Sequence, residues 1–179
     1  MESTPNSVTR TLRVDKDLDR AIAAVAAKER VSVNFLVNRC IRRYVEWDYP
    51  SAEFGMVSVP NLLWEELTKD KDGSALEQLG RKVAQEYLRP AALYLTGEFT
   101  AASATEVLRR ASLYGGTFSF NVDEGQDTHN RVIVLRHDQG SLWSRYFVGL
   151  LDETYGVLLQ RQIKMTYTGS LCVVQMTAG

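Results

Sequence analysis

The stretch that decides the fold runs from Thr9 to Trp47 and reads TRTLRVDKDLDRAIAAVAAKERVSVNFLVNRCIRRYVEW. Its pattern predicts a short strand, a helix, a tight turn and a second helix. A strand of this length has nothing of its own to pair with, and two short helices offer too little apolar core to offset the entropy lost on folding. The sequence therefore predicts a unit that folds as a dimer.

The predicted strand has two different faces. Leu12 and Val14 form an apolar face. Because side chains alternate along a strand, Thr9, Thr11 and Arg13 share the opposite face, which we expect to point outward from a ribbon made by two subunits. Such a ribbon fits the major groove of B-DNA, where arginine binds guanine and threonine contacts the thymine methyl group or either kind of base. The alternative interpretation is the solvated face of an edge strand, which is also often β-branched and charged.

Two helices follow the strand. Acidic residues from Asp15 to Asp17 favour a helix start, and Ser32 stands where the N-cap of the second helix belongs. The second helix has an apolar stripe that is wider than one neighbouring helix requires. The stripe consists of Leu36, Val37, Cys40, Ile41, Tyr44 and Val45. This width predicts packing against a second subunit.

Residues 8–47 resemble the ribbon-helix-helix family of DNA-binding proteins, the Arc/MetJ type. The resemblance rests on the order of the elements, the T-x-T-x-R strand, the helix spacing and the polar turn before the second helix. The base-reading positions that it implies are Thr9, Thr11 and Arg13. The phosphate-binding positions that it implies, at the free N–H groups of a helix start, are Ser32, Val33 and Asn34.

Two residues depart from the family pattern. The turn carries Arg30 and Val31 where the family often has glycine, so either the turn is less tight or a non-glycine residue adopts the glycine conformation. Arg10 occupies a strand position that is usually apolar, and at the end of the ribbon it could reach a DNA phosphate.

Composition limits the function classes. The net charge of the 179 residues is −1, but residues 1–48 hold nine Lys/Arg against seven Asp/Glu, so DNA specificity would depend on a few placed contacts. The two cysteines, Cys40 and Cys172, form no disulfide framework, which favours a reducing cytoplasm. No apolar run is long enough for a membrane span, and no cofactor motif is present.

The pattern predicts an α+β fold with four segments. These are a disordered arm at residues 1–7, a ribbon-helix-helix domain at 8–48, a linker at 49–54, and an α+β domain at 55–179. Pro50 predicts the end of the second helix, because proline disfavours helix in the residue before it. In the last domain, capping boxes at Ser74–Glu77 and Ser103–Glu106 predict two helix starts. Gly115 and Gly116 predict the end of the second of these helices. The remaining sequence predicts ββαββ, with a polar loop at 123–130, a helix from Ser141 and an end to that helix at Gly156.

One cluster in the second domain suggests a ligand site. His137, Ser141 and Trp143 lie where a strand gives way to a helix start, a common place for effector binding. The competing interpretation is structural: a histidine that fixes the turn, a serine cap and a core tryptophan. The ββαββ end also resembles superficially the metal-binding domain of nickel-responsive ribbon-helix-helix regulators, but His129, His137 and Cys172 match no metal-ligand spacing.

The sequence thus predicts a dimeric, sequence-specific DNA-binding regulator, most simply a repressor, that binds a double-stranded operator and whose second domain either senses a small-molecule effector or brings dimers together. Dimers could also pair into tetramers. The alternative is an antitoxin that binds its own promoter through the ribbon and a protein partner through the second domain. Enzyme activity is not predicted, because no catalytic motif is present; His137 beside an acid or a cysteine in a cleft would revive it.

Overall fold

The computed structural model describes residues 8–123 and 131–177, and the statements below concern those residues. The chain divides into two compact units, residues 1–45 and residues 46–179. The predicted arm at 1–7 and the predicted loop after Asp123 lie outside the described residues. Among the described residues, no helix combines the length and the apolar character needed to cross a membrane.

The first unit contains two helices, α1 (Lys16–Glu29) and α2 (Val33–Arg43). Ala26 of α1 and Leu36 of α2 are its buried apolar residues among those described. Residues 8–15, where a strand is predicted, have neither helix nor strand in the single chain. The physical reason is that a strand needs a second strand to satisfy its backbone N–H and C=O groups, and this unit offers none within one chain.

After α2 the helices are interrupted by wider, π-helical turns at Tyr44–Asp48 and Ala84–Leu88. The prediction that Pro50 ends the second helix is wrong, because helix continues through it. A proline ring clashes with the carbonyl four residues earlier, and a π-turn widens the backbone enough to relieve that clash. The α-helices of this part are α3 (Tyr49–Glu53), α4 (Asn61–Thr68), α5 (Gly73–Val83), α6 (Arg89–Thr96) and α7 (Ala101–Gly115).

Both predicted capping boxes are displaced from the true helix starts. Asp72 caps α5 by accepting a hydrogen bond from the N–H of Ala75 at 2.7 Å. Thr100 caps α7 and exchanges hydrogen bonds with Ser103 in a capping box. In each case a residue two or three positions earlier has the extended backbone that an N-cap requires. The predicted end of α7 is confirmed, since Gly116 is its left-handed C-cap.

A four-stranded antiparallel sheet completes the second unit. Its strands are β1 (Ser119–Asp123), β2 (Arg131–Arg136), β3 (Gln162–Tyr167) and β4 (Leu171–Thr177), in the order β1-β2-β4-β3. Helix α8 (Ser141–Leu151) follows β2, so the predicted α+β class and ββαββ order are confirmed. The predicted helix end at Gly156 is wrong, because a π-helical segment, Asp152–Leu158, continues past it.

The core of the second unit lies between the sheet and the helices. Its central residues include Leu88, Ile133, Leu135, Leu151, Tyr155 and Val174. Helices α5 and α8 cross at close range: a Cβ added to Gly80 would lie 2.1 Å from the Tyr146 carbonyl oxygen, and one added to Gly149 would lie 2.0 Å from that of Glu77. Only glycine permits this backbone contact, which fixes α8 and therefore the β2–α8 junction.

Candidate functional site

The predicted DNA-reading segment is exposed. Thr9, Arg10, Thr11 and Arg13 are all exposed in the single chain. The two apolar residues of the same segment are exposed as well, Leu12 at 59% and Val14 at 48%. Both faces of the segment are therefore accessible to solvent.

The start of α2 has the geometry of an anion site. Ser32 is its N-cap, as predicted, and its Oγ accepts a hydrogen bond from the N–H of Phe35 at 3.1 Å. The N–H groups of Val33 and Asn34 belong to the first turn, which has no intrahelical acceptors. All three residues are exposed, so the positive end of this helix faces solvent.

The turn between α1 and α2 is held without glycine. Arg30 takes the left-handed conformation with φ 58° and ψ 41°, and its N–H and that of Val31 bond back to the last turn of α1. Of the two alternatives left by the sequence, the structure has the tight turn with a non-glycine residue. A bidentate ion pair between Glu29 and Arg39, at 2.9 and 3.1 Å, joins the two helices, and this bonding lowers the pKa of Glu29.

The predicted effector residues do not converge on one point. His137 is buried and Trp143 packs edge-on against Trp64 with ring centroids 5.9 Å apart. Ser141 is exposed and is not a side-chain cap, because Gly140 is the N-cap of α8. The hydroxyl that meets His137 belongs instead to Ser144, one helical turn further on, at 3.0 Å from Nε2.

The hydrogen bonds of Ser144 determine the His137 tautomer. Ser144 donates its single hydroxyl proton to the Thr168 carbonyl, so His137 donates from Nε2 to Ser144 Oγ. Nδ1 is then an acceptor, and it is buried without a partner among the described residues. Burial lowers the pKa of His137, and the negative charge of Asp138 offsets only part of this effect. The lowered pKa keeps the ring neutral at pH 7. These contacts support the structural interpretation of His137.

A different site in the second unit was not predicted. A small apolar pocket, here called the aromatic pocket, lies among α3, α6 and α7, with a cavity volume of about 20 Å³. Its aromatic rings meet edge to face, with Phe54 5.6 Å from Tyr87 and 5.7 Å from Tyr94. The lining residues are Glu46, Trp47, Pro50, Ser51, Phe54, Tyr87, Ala91, Tyr94, Leu95, Val107 and Arg110.

Two walls of the aromatic pocket come from one repeated sequence pattern. Residues 46–54 read EWDYPSAEF and residues 86–94 read EYLRPAALY, which share glutamate, an aromatic residue, proline, a small residue, alanine and a second aromatic residue at the same spacing. In both segments a π-helical turn precedes the proline. The two segments therefore line opposite walls of the pocket with equivalent positions. One wall is formed by Trp47, Ser51 and Phe54, and the other by Tyr87, Ala91 and Tyr94. A search for internal repeats would have found this signal.

One end of the aromatic pocket is polar. Arg110 donates from Nη1 to the Glu46 carbonyl at 3.2 Å and from Nε to Glu106 at 2.8 Å. The Glu46 carboxylate accepts the hydroxyl proton of Tyr114 at 2.6 Å. Burial alone would raise the pKa of Glu106, but its hydrogen bonds from Arg110 and Arg109 outweigh that effect and lower it. Arg110 and Glu106 at this end therefore compensate each other's charge, and Tyr114 gives Glu46 a neutral hydrogen-bond donor.

One family model matches the N-terminal part of the chain. Residues 6–41 match the family model of the HicB family. No curated protein sequence matches the chain.

Two solved structures of H-NOX proteins are also similar. One is a double variant, at 9% identity and TM-score 0.43, and the other is an oxygen-binding H-NOX domain related to soluble guanylate cyclases, at 12% identity and TM-score 0.40. Each match covers 97% of this chain and 77% of the other. Scores this low do not establish a shared fold.

Proposed function

We propose that this protein is a dimeric, sequence-specific DNA-binding transcriptional regulator, most simply a repressor, in which residues 8–15 of two copies pair into a ribbon that enters the major groove. One observation carries the proposal. Leu12 and Val14 are exposed in a segment without regular structure that leads directly into two helices with a capped turn. Pairing with a second copy would give this backbone its hydrogen bonds and cover both side chains.

The helices of the first unit support the same arrangement. They expose more large apolar side chains than a solvated helix pair requires, and a second copy would bury them. These side chains are Leu18, Val25, Val33, Phe35, Ile41, Tyr44 and Val45. Ile41, Tyr44 and Val45 of this set belong to the predicted dimer-facing stripe, whereas Leu36 of that stripe is buried within the single chain.

The outward face supports DNA binding by its chemistry. Thr9, Thr11 and Arg13 offer base-reading groups, while Arg10 and the start of α2 offer partners for phosphates. The match of residues 6–41 to the HicB family model covers this face and points to the same kind of role. Both sets of groups lie on residues 9–34, within one short unit.

Selection of binding sites from random duplex DNA tests the proposal. Wild type is compared at stated salt with Thr11→Ala/Arg13→Ala and with Lys164→Ala, which removes one exposed positive charge from β3 in the other unit. We expect a palindromic motif from wild type and from Lys164→Ala, and its loss in the double variant. Arg13→Ala alone should cost about 1–3 kcal/mol in binding and relax specificity at one base pair.

Oligomeric state gives a second test that needs no DNA. Light scattering should show a dimer at micromolar concentration, and Leu12→Asn/Val14→Asn should shift it toward monomer because the polar side chains would be buried in the ribbon. Thr9→Asn on the outward face is the matched control and should remain dimeric. A monomeric wild type would refute the ribbon.

An antitoxin role is the second candidate, because the HicB family is related to toxin–antitoxin systems. In that case the second unit would bind a protein toxin. The two roles differ in one measurement: the antitoxin role requires a stoichiometric partner, purified with the chain from its native cells, whose expression alone arrests growth. Three further expectations stay predictions: that the protein has no enzyme activity, that it binds no cofactor, and that it is located in the cytoplasm.

A further inference from the structure

We propose that a groove at one end of the sheet, here called the strand-end groove, binds a free α-amino acid with an apolar side chain. Pairing of β1 with β2 ends at Ser119 and Arg136, and the groove is lined by residues 116–119 and 136–138 around that last pair. All of these residues belong to the second unit. The inference therefore goes beyond the proposed DNA-binding function and does not depend on it.

The strand-end groove has the size of a small-molecule site. Its cavity volume is about 380 Å³, and it is open to solvent. Ligand sites in proteins usually have volumes of about 300–1,000 Å³ and carry a few polar groups that converge on the ligand. A groove at the lower end of this range suits one small metabolite better than a cofactor with several rings.

Two opposite charges line the groove. Arg136 is the last residue of β2, Asp138 follows two positions later, and both are exposed. Within the described ranges, 8–123 and 131–177, neither side chain forms an ion pair or a hydrogen bond with the other or with a third residue. Both groups are thus available to a ligand at a single groove.

The charge pattern favours a zwitterion. A ligand carboxylate can form a bidentate pair with the guanidinium of Arg136, and a ligand ammonium group can donate to the carboxylate of Asp138. A ligand with only one charge would be attracted by one of the two residues and repelled by the other. His137, the third residue of this segment, is neutral at pH 7 and leaves the two charges balanced.

The buried side of the groove is aromatic. Phe118 is half-buried, and its ring centroid lies 5.2 Å from that of Phe147. The ring of His137 lies 5.1 Å from the same phenylalanine, which is 3% exposed and so supports both rings from the core. An apolar ligand side chain would cover the exposed part of Phe118.

The turn that carries Asp138 also holds two buried polar atoms without a partner among the described residues. They are Nδ1 of His137 and Nε2 of Gln139. Buried polar atoms are nearly always hydrogen-bonded in native proteins, and local rules of this kind are broken most often at functional sites. Because both atoms are buried, the direct ligand contacts in this conformation are those of Arg136 and Asp138.

An NMR titration of the isotope-labelled full chain tests the proposal, with L-leucine as the probe. Two related compounds each lack one of its charged groups: 4-methylpentanoate has no ammonium group, and 3-methylbutylamine has no carboxylate. We expect L-leucine to bind at least about tenfold more tightly than either compound, with the largest amide shifts at residues 116–119 and 136–138.

Three outcomes of this titration would overturn the proposal. The first is no binding of L-leucine up to about 10 mM. The second is equal affinity for L-leucine and one of the compounds with a single charge, which would show that only one of the two charged residues takes part. The third is a set of amide shifts centred elsewhere in the chain.

Four variants assign the contacts. Arg136→Gln and Asp138→Asn each remove one charge from the groove, whereas Lys164→Gln and Glu65→Gln remove exposed charges outside its lining. We expect L-leucine affinity to fall at least about fivefold in the first two variants and to change less than about twofold in the controls. Equal affinity in all four variants and wild type would overturn the assignment.

The same variants separate direct contact from a merely structural effect. Asp138→Asn should not weaken binding of 4-methylpentanoate, and Arg136→Gln should not weaken binding of 3-methylbutylamine, because neither ligand carries the group that meets the altered residue. Loss of binding of all three compounds in either variant would contradict the assigned contacts. Unchanged thermal unfolding verifies that the variants fold, and the shifts mapped in wild type locate the site in any case.

Discussion

Arg110 donates a hydrogen bond from Nη1 to the backbone carbonyl of Glu46, across 64 positions of sequence and at 3.2 Å. This carbonyl lies four residues before Pro50, which has no N–H and so cannot supply the usual helical bond to it. Helix α7 thus provides the donor that the proline removes. The contact fixes the π-helical turn and, with it, one wall of the aromatic pocket.

Arg110→Ala should lower the free energy of unfolding by about 1–3 kcal/mol, because it leaves the Glu46 carbonyl without this donor and removes a charge-assisted bond to Glu106. Arg109→Ala is the matched control: Arg109 pairs with the same glutamate at 2.7 Å but is more exposed. It should cost at most about 0.5 kcal/mol. Urea unfolding of both variants checks this, and equal losses would contradict the assigned role of Arg110.

Gly80→Ala and Gly149→Ala should each cost at least about 3 kcal/mol or prevent folding, because the new methyl group would overlap backbone that cannot move independently. Gly73→Ala is the control. A Cβ there meets only the flexible side chain of Arg145, at 3.1 Å. Thermal unfolding of the three variants gives the comparison, and a stable Gly80→Ala protein would mean that α5 and α8 cross less closely.

Arg30→Gly should stabilise the first unit by about 0.5–1 kcal/mol, because glycine adopts the left-handed conformation of Arg30 without steric cost. Lys28→Gly, in the last turn of α1, should instead destabilise by about 0.5–1 kcal/mol, since that position has ordinary helical geometry. Opposite shifts of the melting temperature at fixed protein concentration would confirm the turn. Shifts of the same sign would not fit a left-handed residue at position 30.

His137 should make stability depend on pH. Burial holds its folded-state pKa below the ordinary value of 6.5, so the unfolded chain binds a proton at a higher pH than the native chain does. The contribution of His137 is therefore complete above pH 6.5 and decreases as the pH falls below it. His137→Gln keeps a donor for Ser144 and does not titrate, so its unfolding free energy should fall less between pH 7.5 and about 5.5. The same pH slope in both proteins would show that His137 is not held neutral by burial.

Several elements could be predicted from the sequence because their causes are local. Ser32 caps α2 through a hydrogen bond to a residue three positions away, and Gly116 ends α7 because it adopts a left-handed backbone. The ββαββ order follows from the change of apolar period after Gly116. The segment at 9–14 is different: its pattern predicts a strand, but in the single chain it has neither helix nor strand, and we propose that a second copy of the chain would complete it.

The remaining features depend on residues that meet only after folding. The partner of His137 is Ser144 and not Ser141, because α8 brings the residue one turn later over the end of β2. The donor that lets helix continue through Pro50 comes from Arg110 on α7. No local pattern specifies either pairing, since the partners are chosen by how elements pack.

The sequence by itself determined the helix pair, its capped turn and the order of strands and helices along the second domain, since capping, turn conformation and periodicity act over a few residues. The structure showed where α5 and α7 start, and the tertiary structure decided how closely α5 and α8 approach and that two similar segments, 46–54 and 86–94, face each other across one pocket. A pocket is a property of packed surfaces, so its lining is fixed only when distant segments have been brought into contact.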